Sequence, residues 1–270
     1  SLPYSVEASE TNYDLARRRQ QDANGGYRRV WPRDLVQMGL GLAAAGDKFT
    51  PLNILRFLKR TQLTNGTWSQ NMWVDGTPSW TGFQIDQTGF PIILTSYLVE
   101  QGLANYGEFR SMVKHAADAL VDKGPFTDQE RWEENSGISP NSLAIACQGL
   151  IEASWLEKAA NNTKLSKTYS DTCDTWKNTL LTQTFVTKGP LGENYFERIE
   201  ADGNPDTGSI FIQNKPAEGE NFRENEIMDG GFLQWILSGL FAADDWHFKS
   251  TLQIYDRVAR APSVGGMGYL

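Results

Sequence analysis

The stretch FRSMVKHAADAL, residues 109–120, has the clean apolar spacing of one helix face. Its apolar residues follow one another at steps of three and four, from Phe109 through Met112 and Val113 to Leu120. In a helix of about 3.6 residues per turn, this spacing puts them on a single face. The segment is therefore predicted to be an amphipathic helix whose apolar face packs against other helices.

Similar periodicity recurs along most of the chain. Residues 143–154 repeat the same steps, and Ser139-Pro140 ahead of them supplies an N-cap residue and a first-turn proline. Thr50-Pro51 opens another helix in the same way. Further helices are predicted over residues 34–45, 84–101, 167–181, 228–240 and 246–260. Strand alternation is scarce, with one short candidate at residues 209–212. Consecutive helices with short connections predict an all-α fold of helical hairpins.

Composition excludes several classes of partner. The chain has 270 residues, a net charge of −8 and 40% hydrophobic residues, which suits one sizeable core and argues against disorder. The acidic balance disfavours nucleic acid and anionic membrane surfaces, because both need clustered Lys and Arg. No apolar stretch is long enough to span a bilayer. We therefore expect neither nucleic acid nor membrane as a partner.

The rarer residues exclude several chemistries. The two histidines, His115 and His247, lie inside helical patterns and accompany no nucleophile motif or metal-ligand spacing. Cys147 and Cys173 each fall on the apolar face of a helix, so free buried thiols are expected, and a disulfide stays open if those helices pack together. No Gly-rich phosphate loop is present. We expect no cofactor and no metal.

Chemistry-bearing residues are concentrated in three loops between helices. The first is YRRVWPRD, residues 27–34, and the second is QNMWVDGTPSW, residues 70–80, which continues to Asp86. The third is RWEE, residues 131–134. Polar loops with several tryptophans are typical of carbohydrate-stacking surfaces. A carboxylic acid beside an aromatic wall is the general-acid pattern of glycosidases.

Each of these loops also has an ordinary structural explanation. A Glu-Glu pair is usually a solvated helix turn, and Trp31 and Trp68 could be core residues. Arg33-Asp34 could be an ion pair at a helix start, where a carboxylate is favourable. Asp75-Gly76 is interpreted as a turn.

Taken together, three motifs in this order resemble the glucoamylase-like family of glycoside hydrolases, which includes glucoamylases, glucodextranases and some trehalases. The motifs are Tyr27…Trp31-x-Arg33-Asp34, Trp80…Gln84-x-Asp86 and Trp132-Glu133-Glu134. Residues 30–34 and 73–78 resemble the bacterial branch of the family. The likeness covers nearly the whole chain. It implies an (α/α)6 barrel, in which six inner helices are ringed by six outer ones and the active site is a pocket at one end.

The resemblance implies roles for individual residues. Glu133 matches the acid that protonates the glycosidic oxygen, and Glu134 matches a carboxylate that binds the next sugar. Arg33 and Asp34 match the pair that grips the terminal glucose. The aromatic residues that match pocket walls are Tyr27, Trp31, Trp80 and Trp132. Three residues could serve either the site or the scaffold, namely Trp73, Gln84 and Asp86.

The implied function is that of an exo-acting, inverting α-glucosidase, with an α-linked glucan or glucose oligosaccharide as its partner. Linkage preference stays open between α-1,4, α-1,6 and α,α-1,1. An inverting enzyme also needs a catalytic base, which the resemblance puts beyond Leu270. The acidic residues Glu218, Glu220, Glu224 and Glu226 lack the tryptophans that accompany the other motifs, so we interpret them as a solvated loop.

The chain departs from the family pattern in its extent. Periodicity supports about eight or nine helices, short of the twelve that a complete barrel requires. Both ends of the sequence resemble the interior of family members. Residues 1–270 are therefore interpreted as a single catalytic-domain fragment of an incomplete barrel, with the remainder of the barrel as a further partner.

Two other classes of function remain open from the residues. One is a non-catalytic carbohydrate-binding or remnant protein. The other is a different helical-barrel enzyme, such as a sugar epimerase or a terpenoid cyclase. The low histidine count argues against an epimerase, and the lack of an Asp-rich cluster argues against a cyclase. Family precedent and polysaccharide substrates lead us to expect a secreted or periplasmic protein.

Overall fold

The computed structural model describes residues 29–213, 220–263 and 266–269. Its α-helices, in chain order, are α1 (Pro32–Ala44), α2 (Thr50–Thr61), α3 (Ile85–Glu100), α4 (Tyr106–Lys123), α5 (Pro140–Ala159), α6 (Thr163–Gln183), α7 (Gln234–Leu237) and α8 (Trp246–Val258). Two 3-10 helices, Glu224–Glu226 and Gly230–Leu233, precede α7. The helical prediction is confirmed.

Short antiparallel strand pairs tie the connecting loops together. The pairs are β1 (Arg29–Val30) with β2 (Met72–Trp73), β3 (Phe185–Val186) with β4 (Tyr195–Phe196), β5 (Ser209–Ile212) with β6 (Glu220–Arg223), and β7 (Arg260–Ser263) with β8 (Gly266–Tyr269). The strand predicted at residues 209–212 is confirmed as β5. In β1 and β2 the partners are Arg29 with Trp73 and Val30 with Met72, so the first two predicted loops are joined.

Helices α1, α3 and α5 lie side by side as inner helices, and α2, α4 and α6 pack outside them. Helices α3 and α5 are buried along nearly their whole length. Near their starts, Gly89 of α3 lies against Ile145 of α5. Further along, the Ser96 hydroxyl donates to the Glu152 carboxylate. The two inner helices therefore run parallel, and their N-termini lie at the same end of the fold.

The outer helix α4 has the face that its periodicity predicts. Phe109 and Val113 are fully buried, whereas His115 is exposed. The described residues thus contain three inner-outer hairpins, α1 with α2, α3 with α4, and α5 with α6. These hairpins form part of the predicted (α/α)6 barrel, and the expectation of an incomplete barrel is confirmed.

The segment predicted as one helix over residues 228–240 is a 3-10 helix followed by a single turn, α7. Asp229 caps the 3-10 helix, since its side chain accepts a hydrogen bond from the Gly231 amide. Gly239 has a positive φ of 67°, which ends the helix. Ser139 is the N-cap residue of α5 as predicted, but its side chain makes no capping hydrogen bond.

Cys147 and Cys173 face each other across α5 and α6. Both thiols are free and buried, and the Cys147 Sγ lies 3.7 Å from the Cys173 carbonyl oxygen. Desolvation raises the pKa of Cys147 well above its usual value. The expectation of free buried thiols is therefore confirmed.

The interpretation of the acidic residues as a solvated loop is wrong for Glu224. This side chain is 1% exposed, because the 3-10 helix that it begins turns it inward. Glu220 is exposed and Glu226 half-buried, as a solvated loop requires. Glu218 lies outside the described residues.

Within the described ranges, every helix is too short or too polar to cross a membrane.

The close approach of α3 and α5 depends on glycine. A Cβ atom on Gly89 would lie 2.7 Å from the Ile145 carbonyl oxygen, and one on Gly149 would lie 3.0 Å from the Gly89 Cα. We expect Gly89→Ala to lower the free energy of unfolding by about 1–3 kcal/mol in urea titrations, because the backbones must separate. Gly41→Ala in α1 is the matched control. Its Cβ would have no neighbour within 4 Å, so we expect a gain of about 0.4–1 kcal/mol. Equal effects at both positions would contradict the packing argument.

Candidate active site

The candidate site forms where the N-terminal ends of α1, α3 and α5 meet. Trp31 and Gln84 are the N-cap residues of α1 and α3, and both have extended backbone conformations. Pro32 follows Trp31 at the first helical position, where its missing N–H costs nothing. Arg33 and Asp86 then lie in the first turns of their helices. The first two sequence motifs are thus brought together by helix starts.

The Arg33 guanidinium joins these helices to the third loop. Its NH1 lies 2.5 Å from the Asp86 Oδ2, and its NH2 lies 3.1 Å from the Gln84 Oε1. The same NH2 lies 3.2 Å from the Glu133 Oε1. The Arg33 side chain is 13% exposed and that of Asp86 is fully buried. One cation therefore bridges two helices and the predicted acid.

Charge keeps this guanidinium protonated. Burial by itself would lower the pKa of Arg33, but the carboxylates of Asp86 and Glu133 outweigh it and raise the pKa above its ordinary value. Arg33 is therefore a fixed positive charge at the site.

Glu133 receives three hydrogen bonds on a single oxygen. Its Oε1 accepts from the Trp31 Nε1 at 2.8 Å, from Arg33 and from the Gln84 Nε2 at 3.3 Å. Among the described residues, its Oε2 has no hydrogen-bond partner. The side chain is 23% exposed. One oxygen is thus held in place by three donors, while the other has none among the described residues.

The backbone at Glu133 is strained. Its φ is 63°, in the left-handed region that side chains with a Cβ rarely adopt, and its amide donates to the Glu130 carbonyl oxygen. Thr127 and Gly137 bridge the ends of this turn. Such conformations cost of order 1–3 kcal/mol and are concentrated at functional sites.

Glu130, which the sequence analysis missed, organises the loop that carries the acid. It is fully buried, and its carboxylate accepts from the amides of Trp132 at 2.6 Å and Asn135 at 3.4 Å. Burial raises the pKa of Glu130, although Arg198 nearby opposes this. Its position directly before the RWEE motif is the one signal that the sequence offers.

Glu134 forms an ion pair with Arg198. Its Oε2 lies 3.2 Å from the Arg198 NH2, and its side chain is 4% exposed. The same Arg198 lies 3.6 Å from Glu130. Direct binding of a sugar by Glu134 remains a prediction, and the structure also gives this residue a role in holding the loop.

Two tryptophans frame the exposed side of the network. Trp80 is 47% exposed, and its ring meets that of Trp31 edge-on at a centroid distance of 6.2 Å. The Arg29 guanidinium lies over both Trp73 and Trp80, at 4.8 and 4.9 Å from the ring centroids. Trp68, by contrast, is buried and donates to the Leu58 carbonyl oxygen, so its alternative interpretation as a core residue is confirmed.

Trp132 is fixed from the other side by Asp229, a second residue that the sequence analysis missed. The Trp132 Nε1 donates to the Asp229 Oδ2 at 2.8 Å, and Arg131 donates to the same oxygen. The ring remains 51% exposed. Trp132 and Arg33 line a cleft of about 550 Å³, together with Phe90 and other residues of the inner helices. A volume of this size suits a small-molecule ligand.

The remaining predicted residues differ in placement. Asp34 is exposed in the first turn of α1, on the residue after Arg33. Tyr27 lies outside the described residues. Asp75-Gly76 forms the predicted turn, with Gly76 at a φ of 92°. The structure thus brings together Trp31, Arg33, Gln84, Asp86 and Glu133, with Trp80 at their edge.

Known sequences are similar to this chain. The family Glycosyl hydrolases family 15 matches residues 58–256. A glucoamylase from Clostridium sp. (strain G0005) is 34% identical over 245 residues, which cover 91% of this chain and 34% of that protein. An uncharacterized glycosyl hydrolase from Methanocaldococcus jannaschii is 29% identical over 156 residues, covering 55% of this chain and 25% of that protein. The chain thus spans about a third or less of these relatives.

Solved structures agree in fold. A bacterial glucoamylase complexed with acarbose matches with a TM-score of 0.82 and 33% identity, over 91% of this chain and 36% of that one. A glycosidase in complex with glucose matches with a TM-score of 0.65 and 14% identity, over 94% of this chain and 73% of that one. The second likeness concerns the fold alone.

The buried Arg33–Asp86 pair gives a test of the site. We expect Asp86→Ala to lower the free energy of unfolding by roughly 3–5 kcal/mol, because Arg33 is left buried with its main partner removed. Asp171→Ala is the control, since its pair with Lys167 is exposed on both sides, at 57% and 76%. That change should stay within about 1 kcal/mol. Urea unfolding of both variants measures the difference, and similar losses would refute the role of the buried pair.

Proposed function

The chain belongs to Glycosyl hydrolases family 15, and on that premise we propose an exo-acting, inverting α-glucosidase of the glucoamylase type. It would release glucose from the non-reducing ends of α-linked glucans. The observation that carries the proposal is the Glu133 carboxylate, whose Oε1 is held by Trp31, Arg33 and Gln84 while Oε2 is left to carry a proton.

Glu133 acts as the general acid. The proton on its carboxyl group passes to the glycosidic oxygen as the bond from that oxygen to the anomeric carbon breaks. The leaving sugar departs as an alcohol, and the carboxylate that remains is stabilised by Arg33 at 3.2 Å. The hydrogen bonds to Oε1 orient the group, so little reorganisation is needed during the reaction.

Inversion requires a second carboxylate that activates water on the opposite face of the sugar. The two carboxyl groups of such enzymes stand roughly 6.5–9.5 Å apart, which leaves room for the water. We expect this base in the C-terminal part of the barrel, as the family resemblance implies. The linkage, α-1,4, α-1,6 or α,α-1,1, is left to the assay.

Arg33 and Asp34 support exo-action. A guanidinium has five N–H donors, and Arg33 retains donors beyond those given to Asp86, Gln84 and Glu133. The exposed Asp34 carboxylate can accept from sugar hydroxyls beside it. The exposed rings of Trp80 and Trp132 offer stacking faces for the sugar rings. A relative of similar fold was solved with acarbose, which supports a sugar-like ligand.

We also propose that the protein acts outside the cytoplasm, as a secreted or periplasmic enzyme, because polysaccharide substrates do not cross membranes. Fractionation of the source cells, with glucose release assayed in each fraction, tests this. Activity confined to the cytoplasm would refute it.

The central test is Glu133→Gln in the protein that carries this chain. We expect it to reduce kcat for glucose release from starch, dextran or trehalose by about 10²–10⁴-fold, because the proton donor is lost. KM should change little, since the amide keeps the shape of the side chain.

Glu108→Gln is the matched control, because this exposed carboxylate pairs with Arg56 on the outer helices. It should keep normal kcat. If the unmodified protein released glucose from none of starch, dextran and trehalose, the proposed enzyme function would be refuted. Sugar binding without turnover would favour a non-catalytic carbohydrate-binding protein instead.

A further inference from the structure

Three buried glutamates meet outside the candidate active site. Glu197 follows β4, Glu200 lies three residues later, and Glu224 begins the 3-10 helix after β6. Each offers a carboxylate oxygen, and these oxygens lie within 4.8 Å of one another. Their exposures are 2%, 1% and 1%. Like charges this close in a buried setting are unfavourable unless something compensates them.

Backbone hydrogen bonds hold two of the three glutamates in place. Glu200 accepts from the amides of Asp202 and Gly203 through its Oε1. Glu224 accepts from the Ala201 amide at 3.0 Å through its Oε2. Each residue therefore has one oxygen fixed by the chain, which orients the carboxylate and leaves its other oxygen for a further partner.

The second observation is a set of buried oxygens with no partner in the part of the chain that the structure describes. Both carboxylate oxygens of Glu197 lack a hydrogen bond, and so does the Oε2 of Glu200. The side-chain oxygen of Asn225, next to Glu224, also lacks one. An unpaired buried carboxylate costs several kcal/mol, so these oxygens require a ligand or a proton.

The charges that act most strongly on Glu197 are negative. Burial, together with the carboxylates of Glu200, Glu224, Asp202 and Asp206, raises the pKa of Glu197 to about 11. Burial likewise raises the pKa of Glu224 to about 7. Arg198, the nearest residue of opposite sign in the sequence, is directed instead to Glu130 and Glu134. Among the described residues, these three carboxylates thus lie together without an ion-pair partner.

We propose that Glu197, Glu200 and Glu224 form a binding site for Ca²⁺. The donors are all oxygens and none is His or Cys, which selects a hard cation over zinc or copper. Ca²⁺ accepts six to eight oxygens in flexible geometry, so water can complete its shell. No metal is expected from the sequence, because its histidines and cysteines lack metal-ligand spacing.

The site would be coupled to the loop that carries Glu133. Glu200 exchanges backbone hydrogen bonds with Ile138, at 2.7 and 3.0 Å, just before α5 begins. Between Glu197 and Glu200, Arg198 binds Glu130 and Glu134 of that loop. A cation that fixes the segment 197–200 on one side thereby fixes Arg198 on the other.

Calcium binding to the protein tests the proposal without any activity assay. After EDTA treatment and dialysis, titration with CaCl₂ should give one equivalent of binding by calorimetry. At calcium about 100-fold above Kd, we expect Tm to rise by about 5–10 °C. MgCl₂ should give a smaller rise, because Mg²⁺ demands octahedral geometry and keeps its waters. The readouts do not depend on glucose release, so they stand apart from the proposed enzyme function.

Glu197→Gln should abolish the calcium-dependent rise in Tm, whereas Glu193→Gln, an exposed neighbour in the same segment, should retain it. If Glu197→Gln does not fold, Glu197→Asp keeps the charge and should weaken calcium binding at least 10-fold. Absence of binding by the unmodified protein would overturn the proposal, as would unchanged binding in either Glu197 variant. If the unmodified protein binds no calcium and Glu197→Gln is more stable than the parent, the three glutamates are instead protonated carboxylic acids.

Discussion

The ion pairs of the Arg33 guanidinium with Asp86 and Glu133 hold the site together. The guanidinium is buried between the starts of α1 and α3 and pairs there with Asp86, while its other nitrogen reaches Glu133 on the loop before α5. A buried cation with several partners cannot lose one without leaving charge uncompensated. The same group therefore sets how the inner helices meet and where the acid lies, so the fold and the site cannot be altered independently.

Local patterns were enough to predict most of the helices and the residues of the central network. Periodicity gave the face of α4, and three short motifs gave Trp31, Arg33 and Glu133, because helix starts and loops are encoded by neighbouring residues. The prediction was wrong where burial depends on distant parts of the chain. Glu224 looks solvated in its acidic segment, yet the segment 197–201 covers it. No local signal distinguishes these two situations.

The supporting residues were missed for the same reason. Arg198 and Asp229 touch the loop of Glu133 from separate parts of the chain, and neither stands in a motif of its own. Their contacts join residues some 64 to 98 positions apart. Pairs this distant are specified by packing of the whole fold, which a single sequence does not display. The residues proposed to react are thus visible in the sequence, whereas the residues that hold them in place are not.

The left-handed backbone of Glu133 has a consequence for how such a chain can evolve. At a φ of 63°, glycine or asparagine would be less strained than glutamate, so selection for folding alone would replace Glu133. On the proposed function, a glutamate at this position records selection for chemistry at the expense of stability. In a lineage that no longer uses the pocket, replacement of Glu133 by glycine would be favoured early. The protein would then lose activity and gain stability.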